Sequence, residues 1–267
     1  MKILAIDTAL DACQAAIFDS AEAKTIAFLS HDMRRGHAEA LIPTIADAMK
    51  AAGLDYGDLD RIATTVGPGS YTGLRVGIST AKGLALASGK PAVGITTLAA
   101  FSAPLIDDDP AVPVVAAIDA RHGNVFFHMA GAGHRVLLSP RHTSIEEAVL
   151  SISTGPVRLV GPAAPLLAAK WPRQSGAVPV AVDPRAKPAI EWVARLAAIT
   201  EPIRSPAKPL YLRAPDVTPQ QIHHVFGLLA LRVIGGGHVD PPVRMRHDSS
   251  AGGYTQCAPR CVGPQGL

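Results

Sequence analysis

The residues whose types and spacing promise chemistry lie between Thr64 and Gly89, in the run TTVGPGSYTGLRVGISTAKGLALASG. A short apolar approach, Ile62 to Val66, enters a turn of Gly67, Pro68, Gly69 and Ser70, and a helical pattern begins near Thr72. Strand, glycine turn and helix in that order aim backbone N–H groups and a positive helix end at one point, which suits a phosphate or carboxylate. Gly67, Gly69, Ser70, Thr72 and Gly73 are the residues such an anion would meet. No Gly-Lys-Ser/Thr closes the turn and its spacing is not G-x-G-x-x-G, which excludes a Walker A loop and a dinucleotide fingerprint. Gly73, Gly77 and Gly83 then sit inside the helix, each costing about 1 kcal/mol against alanine. Gly73 and Gly77, one turn apart, form a groove for close approach. Close approach of a ligand, or tight helix-on-sheet packing with no ligand, would account for that groove equally well.

The elements that would position this turn read as follows. Ile3 to Ile6 is a buried strand that delivers Asp7 and Thr8 to its C-terminal end, with Cys13–Phe18 and Lys24–Leu29 as the next strands. A helix runs from about Gly36 to Ala52 and is stopped by Gly53, with Ala38, Leu41, Ile42, Ile45, Met49 and Ala52 as its apolar stripe. Pro43 falls inside it and predicts a kink or a later start. After the glycine helix come a strand at Ala92–Ile95 and a short helix at Thr97–Ala103, then Asp107, Asp108, Asp109 and Pro110, which read as a linker. The pattern restarts with a buried strand, Val112–Ile118, which ends in Asp119 followed by Ala120 and Arg121. Strands at Val125–Ala130 and Arg135–Leu138, a helix at Ser144–Leu150, a strand at Val157–Val160, a helix at Pro162–Lys170, a strand at Val178–Val182 and a helix at Pro188–Ile199 complete it. Each half thus reads as three strands, helix, strand, helix, strand, helix. This places lobes at 1–103 and 104–219 and an atypical tail at 220–267.

Composition narrows the function classes. A chain of 267 residues with 48% hydrophobic and 18% charged residues can bury a globular core. Four arginines against two aspartates from Gln221 onward supply +2 of the net charge of +3, so the body carries no basic stripe for direct nucleic-acid binding. Aromatic residues, at 4%, do not suggest a base-stacking surface. Only four apolar residues separate Lys2 from Asp7, too few for a signal peptide, and no apolar run approaches a membrane span. Cys13, Cys257 and Cys261 make no disulfide framework. A cytoplasmic protein is expected.

Two halves that each open on a strand ending in aspartate resemble the actin-like fold of sugar kinases, acetate kinase and heat-shock ATPases. The sharper resemblance is to the YeaZ, or TsaB, family, carried by ILAIDT at Ile3–Thr8, HAEALIP at His37–Pro43, GPGSYTGLRVGISTAKGLA at Gly67–Ala85, IDAR at Ile118–Arg121 and YLRAPD at Tyr211–Asp216. It covers Met1 to about Pro219. It implies an α/β, actin-like fold of two similar lobes, each a mixed sheet flanked by helices. It also implies a subunit of the machinery that makes threonylcarbamoyladenosine beside the tRNA anticodon. The partners would be TsaD, the related catalytic subunit, and TsaE, an ATPase that joins them, with tRNA met only through the complex. TsaD carries an H-x-x-x-H helix for its metal, and the two positions fall here on Thr97 and Phe101. Neither side chain ligates a metal, which argues against catalysis by this chain. No metal and no tightly bound cofactor are expected, with ATP or ADP in the complex with TsaD. A stand-alone small-molecule kinase or a glycoprotease-like metallohydrolase is the alternative.

The resemblance also assigns surfaces. Asp7 and Asp119 would orient a magnesium ion or water at a phosphate, as in actin-like enzymes, or else cap local backbone N–H groups. The weak second glycine turn would be Gly155-Pro156 or Gly161-Pro162. Helices of the two related subunits pack on each other, which assigns a shared homodimer and heterodimer face to His37, Ala38, Leu41, Ile42, Ile45, Met49, Arg75 and Gly77, with Ile45 and Met49 at its outer edge. His37 reads as a surface histidine rather than one of a metal pair with Glu39. Arg75 would meet either Asp7 or a ligand phosphate. His223, His224, Cys257 and Cys261 fit no common zinc spacing. Val225–Ile234 could form one short helix within an otherwise disordered or non-native tail.

Overall fold

The protein is described by a computed structural model over residues 1–172 and 178–213. The expectations for Val225–Ile234, the tail cysteines and the tail histidines lie outside these residues. Ile3, Leu4, Ala5 and Ile6 are buried on both faces because β1, Lys2–Asp7, is the middle strand of a sheet. It pairs antiparallel with β2, Ala12–Asp19, which pairs in turn with β3, Lys24–Asp32. On its other side β1 runs parallel to β4, Arg61–Thr65, which is flanked by β5, Ala92–Ile95.

The second sheet repeats this order. β6, Val114–Arg121, pairs antiparallel with β7, Asn124–Gly131, and β7 with β8, Arg135–Ser144. On the far side β6 runs parallel to β9, Arg158–Val160, and β9 to β10, Ala181–Asp183. Two mixed five-stranded sheets of identical order, each with helices on its faces, make the actin-like α/β fold that the sequence implied.

The helices fill the layers between and outside the sheets. α1, His37–Ala52, and α2, Tyr71–Ser88, cover one face of the first sheet, where Leu41, Ile45 and Met49 pack with Leu4, Ile6, Ile62 and Ala81. α1 begins at His37 with Pro43 inside it, so the later start is not used. It ends in a left-handed Gly53, whose N–H reaches the Lys50 carbonyl while that of Leu54 reaches Met49, the double bond of a glycine helix stop. α3, Thr97–Asp108, is a wedge: Ala100 and Ala103 face the first sheet, and Leu98, Phe101 and Ile106 face Val114, Ala116 and Ile118 of the second. Burial of Ile106 carries α3 past Ala103, so Asp107 and Asp108 belong to a helix and not to a linker. α4, Ile145–Ile152, and α5, Ala164–Ala169, cover the outer face of the second sheet.

α6, Ile190–Ile199, follows β10 in sequence yet packs on the first sheet beside α3, with Val193, Ala194 and Ala197 against Ile3, Ala5 and Val93. The chain then passes along the outer edge of β5. There the Gly94 N–H donates to the Ser205 carbonyl at 2.9 Å, the Ser205 hydroxyl donates to the Gly94 carbonyl at 2.6 Å, and the Leu210 N–H donates to the Val66 carbonyl at 2.7 Å. This strap brings Tyr211 back to the glycine turn. No described helix is long and apolar enough to cross a membrane.

Candidate functional site

The ends of β1 and β4 meet at Asp7. Its carboxylate is fully buried and accepts three hydrogen bonds: from the Thr65 hydroxyl at 2.7 Å, the Ala9 N–H at 3.0 Å and the Gln14 side-chain amide at 3.0 Å. Gln14 is held in turn, donating to the Pro188 carbonyl and accepting from Ser30. Burial pushes the Asp7 carboxyl above its ordinary range, against the three hydrogen bonds that favour the charged form. Asp7 thus caps its own turn and locks β1, β2 and β4 together.

The glycine turn is closed by the same strand end. Gly67 has a left-handed φ of 109°, which glycine alone adopts easily, and its carbonyl accepts from the Thr97 N–H. A Cβ at Gly69 would overlap the Ala9 carbonyl oxygen, one at Gly73 the Thr8 carbonyl oxygen, and one at Gly77 the Thr8 hydroxyl. The Thr8 hydroxyl donates to the Gly73 carbonyl at 2.8 Å and the Ser70 N–H donates to the Ala9 carbonyl at 2.7 Å. The Ser70 hydroxyl caps α2 by accepting from the Gly73 N–H at 3.3 Å. These glycines serve helix-on-strand packing, and Thr8 and Ala9 fill the groove that they make.

An open cleft of about 350 Å³ lies just outside this closed centre. Asp11, Gly69, Ser70, Asp119 and Arg121 line it. The structure therefore brings Gly69, Ser70 and Asp119 together and leaves Asp7, Thr8, Gly67 and Gly73 behind them; Thr72 is on the surface of α2. Asp119 is exposed and accepts from the Arg121 N–H at 2.7 Å, capping a turn in which Arg121, His122 and Gly123 all have positive φ. Gly161, the second glycine turn, has a φ of 104° and lies against the Ala117 carbonyl, the same use of glycine as at Gly69. Asp11 and the exposed tyrosines beside the turn were not singled out by sequence; the Tyr211 motif was the one signal pointing there.

The surface assignments need four corrections. Ile45 and Met49 are buried in the core beside Leu41, because a helix lying flat on a sheet turns that whole row inward. A charge at either position would test folding and not association. His37 is buried too, with its Nε2 3.1 Å from the Leu10 carbonyl, so it is no surface histidine. Gly77 is covered by Thr8. Arg75 does not meet Asp7: its Nε donates to the Tyr211 hydroxyl at 3.1 Å and its guanidinium lies over the Tyr71 ring. Of the assigned face, Ala38, Ile42 and Arg75 reach the surface, joined by Ala46 of α1 and Ser79 and Leu86 of α2.

At the positions where a catalytic relative would hold a metal, Thr97 and Phe101 are fully buried. Phe101 is packed between the two sheets. Among the described residues no group of three or more His, Cys, Asp or Glu side chains is placed to hold a metal ion.

The family model described as TsaD: tRNA N6-adenosine threonylcarbamoyltransferase matches residues 28–165. The tRNA threonylcarbamoyladenosine biosynthesis protein TsaB of Escherichia coli is 37% identical over 127 residues, 48% of this chain and 54% of that protein. The chain thus spans about half the length of such curated relatives. An uncharacterised protein of Mycobacterium tuberculosis is 32% identical over 222 residues, 81% of this chain and 94% of that protein. The solved structure of YeaZ from Pseudomonas aeruginosa superposes with a TM-score of 0.67 at 27% identity, covering 79% of this chain and 99% of that one. The chain belongs to the TsaD-type family, in its YeaZ (TsaB) branch.

Proposed function

From that membership we infer that the chain is a non-catalytic subunit in the making of threonylcarbamoyladenosine in tRNA, working beside a TsaD-type catalytic partner. The observation that supports a non-catalytic role is the filled cradle. Thr8 and Ala9 fill the groove of the glycine helix, and the Asp7 carboxylate is buried and already held by three hydrogen bonds inside the fold. An actin-like kinase would need that carboxylate free to act at its nucleotide.

What the chain offers instead is a face. α1 and α2 lie side by side, with Ile42 52% and Leu86 86% exposed among the small side chains Ala38, Ala46 and Ser79. Small residues between two apolar anchors allow a second pair of helices to approach closely. On this reading the face makes a homodimer when the chain is alone and a heterodimer with the TsaD-type partner, the second replacing the first. A TsaE-type ATPase joins the assembly, and tRNA and ATP or ADP are engaged only in the complex. The chain itself holds no metal and acts in the cytoplasm.

The test is co-purification with a TsaD-type partner, followed by mass-spectrometric assay of threonylcarbamoyladenosine in tRNA with and without this chain. Modification that depends on the chain is the expected result. Turnover of ATP or a small molecule by the isolated chain would favour the stand-alone enzyme.

A further inference from the structure

Two of the four tyrosines of this aromatic-poor chain meet beside the glycine turn. Tyr71 opens α2 and Tyr211 ends the strap. Their ring centroids are 5.4 Å apart at an interplanar angle of 30°. The Arg75 guanidinium stands 4.1 Å from the Tyr71 centroid and is fixed by its bond to the Tyr211 hydroxyl. Both rings keep about two fifths of their surface in water, 43% for Tyr71 and 42% for Tyr211.

A structural role does not account for this exposure. The strap is already held by the Ser205, Gly94 and Leu210 backbone bonds, and Ala207 is buried against Val66 and Leu74. A staple would also bury its rings, because leaving them in water forfeits the gain from apolar burial. What remains is a pair of prestacked aromatic rings whose orientation is locked by a cation. Ser70, next to Tyr71, lines the cleft together with Arg121, whose side chain makes no ion pair among the described residues. Arg75 is the cation beside the platform.

We propose that Tyr71, Tyr211 and Arg75 form a stacking platform for an unpaired nucleobase of RNA, with Arg75 beside an adjoining phosphate. The proposal rests on the tRNA-modifying reading above and names the part of this chain that would touch the nucleic acid. Aromatic faces stack any base, and adjacent arginines neutralise the backbone, which is how single strands are held without sequence preference. The platform is partly exposed. A free mononucleotide gains little there, whereas a strand adds neighbouring phosphates. A paired base cannot reach it.

The test uses the full chain, alone and with its TsaD-type partner, and a fluorescein-labelled single-stranded oligoribonucleotide followed by anisotropy. Tyr71→Ala and Tyr211→Ala should each weaken binding by roughly tenfold, while Tyr71→Phe stays within about twofold. Binding should fall with added salt, and the same sequence in a duplex should not compete. Alanine variants that bind like the parent, or competition by ADP as effective as that of the strand, would overturn the proposal. A parent chain that binds no single strand, yet still assembles with its partner and supports modification, sinks this platform and leaves the functional reading standing. Loss of assembly and modification in the parent sinks that reading instead.

Discussion

Asp7 and Asp119 end the first strands of two sheets with the same strand order, and they have opposite surroundings. Asp7 is fully buried with three side-chain and backbone donors, whereas Asp119 is exposed and caps one turn N–H. The cross-strand neighbours explain the difference. Asp7 faces Gln14 on β2, an amide donor; Asp119 faces Val125 on β7, which can donate nothing from its side chain. β4 ends in Thr65, a hydroxyl donor, while β9 ends in Val160. The first aspartate is also backed from the α6 side, where Gln14 donates to the Pro188 carbonyl, whereas the second stays exposed. A duplicated framework has thus kept one half as a sealed joint and the other as an open wall of the cleft.

The largest expected effect breaks this contrast at its centre. Asp7→Ala strands the Thr65 hydroxyl, the Ala9 N–H and the Gln14 amide in a buried site, and should cost about 4 kcal/mol in denaturant unfolding. Asp119→Ala should cost under about 1 kcal/mol by the same measurement, since water can replace its single bond. Equal losses would mean that the two aspartates do the same job.

A second contrast is titratable. His128 on β7 is buried with its Nε2 3.1 Å from the Ser102 hydroxyl, and burial holds it down to about 4 from an ordinary 6.5. Between those values the unfolded chain binds a proton that the folded chain does not. Stability is therefore lost as pH falls from about 6.5 towards 4, by about 3 kcal/mol in all. His128→Gln should flatten that slope. Asp7, whose carboxyl is raised, contributes with the opposite sign: its share is present below the ordinary carboxylate range and lost as pH rises through its folded value.

The smallest effects sharpen the account of the glycine helix. Gly73→Ala drives a Cβ into the Thr8 carbonyl and should destabilise the fold by about 2 kcal/mol. Gly83→Ala, in the same helix with open space around it, should stabilise by about 1 kcal/mol. Thermal melts of the two variants should move in opposite directions.

Much of this frame was legible in the sequence, for reasons that can be named. Central strands are buried on both faces, so Ile3–Ile6 and the run into Asp119 stood out as apolar runs that end in a carboxylate. The glycine stop at Gly53 and the turn at Gly67–Ser70 carry their conformations in their residue types. Sheet order followed once the repeat was seen. The site was less legible. Whether Asp7 is sealed depends on register with Gln14 and on the reach of Thr65, and neither is a property of a single segment. The stripe on α1 gave the right period but too wide an exposed edge, since Ile45 and Met49 turn to the sheet and only Ala38 and Ile42 turn away. Three acidic residues at 107–109 looked like a break because their charges hid the burial of Ile106. α6 carries its apolar face openly, but nothing local says that it packs on the first sheet. The pairing of Tyr71 with Tyr211 joins residues 140 positions apart (211 − 71), which no local pattern could show.

The central claim is that the first half supplies a docking face and a sealed joint rather than chemistry. Ile42 on α1 and Leu150 on α4 are both exposed apolar side chains, one in each half, so arginine at either should leave the fold intact. The direct measurement is threonylcarbamoyladenosine formation by the complex with a TsaD-type partner, alongside pull-down of that partner. Ile42→Arg is predicted to abolish both assembly and modification, and Leu150→Arg to leave both at the level of the parent. A folded Ile42→Arg chain that still assembles and supports full modification would contradict the account.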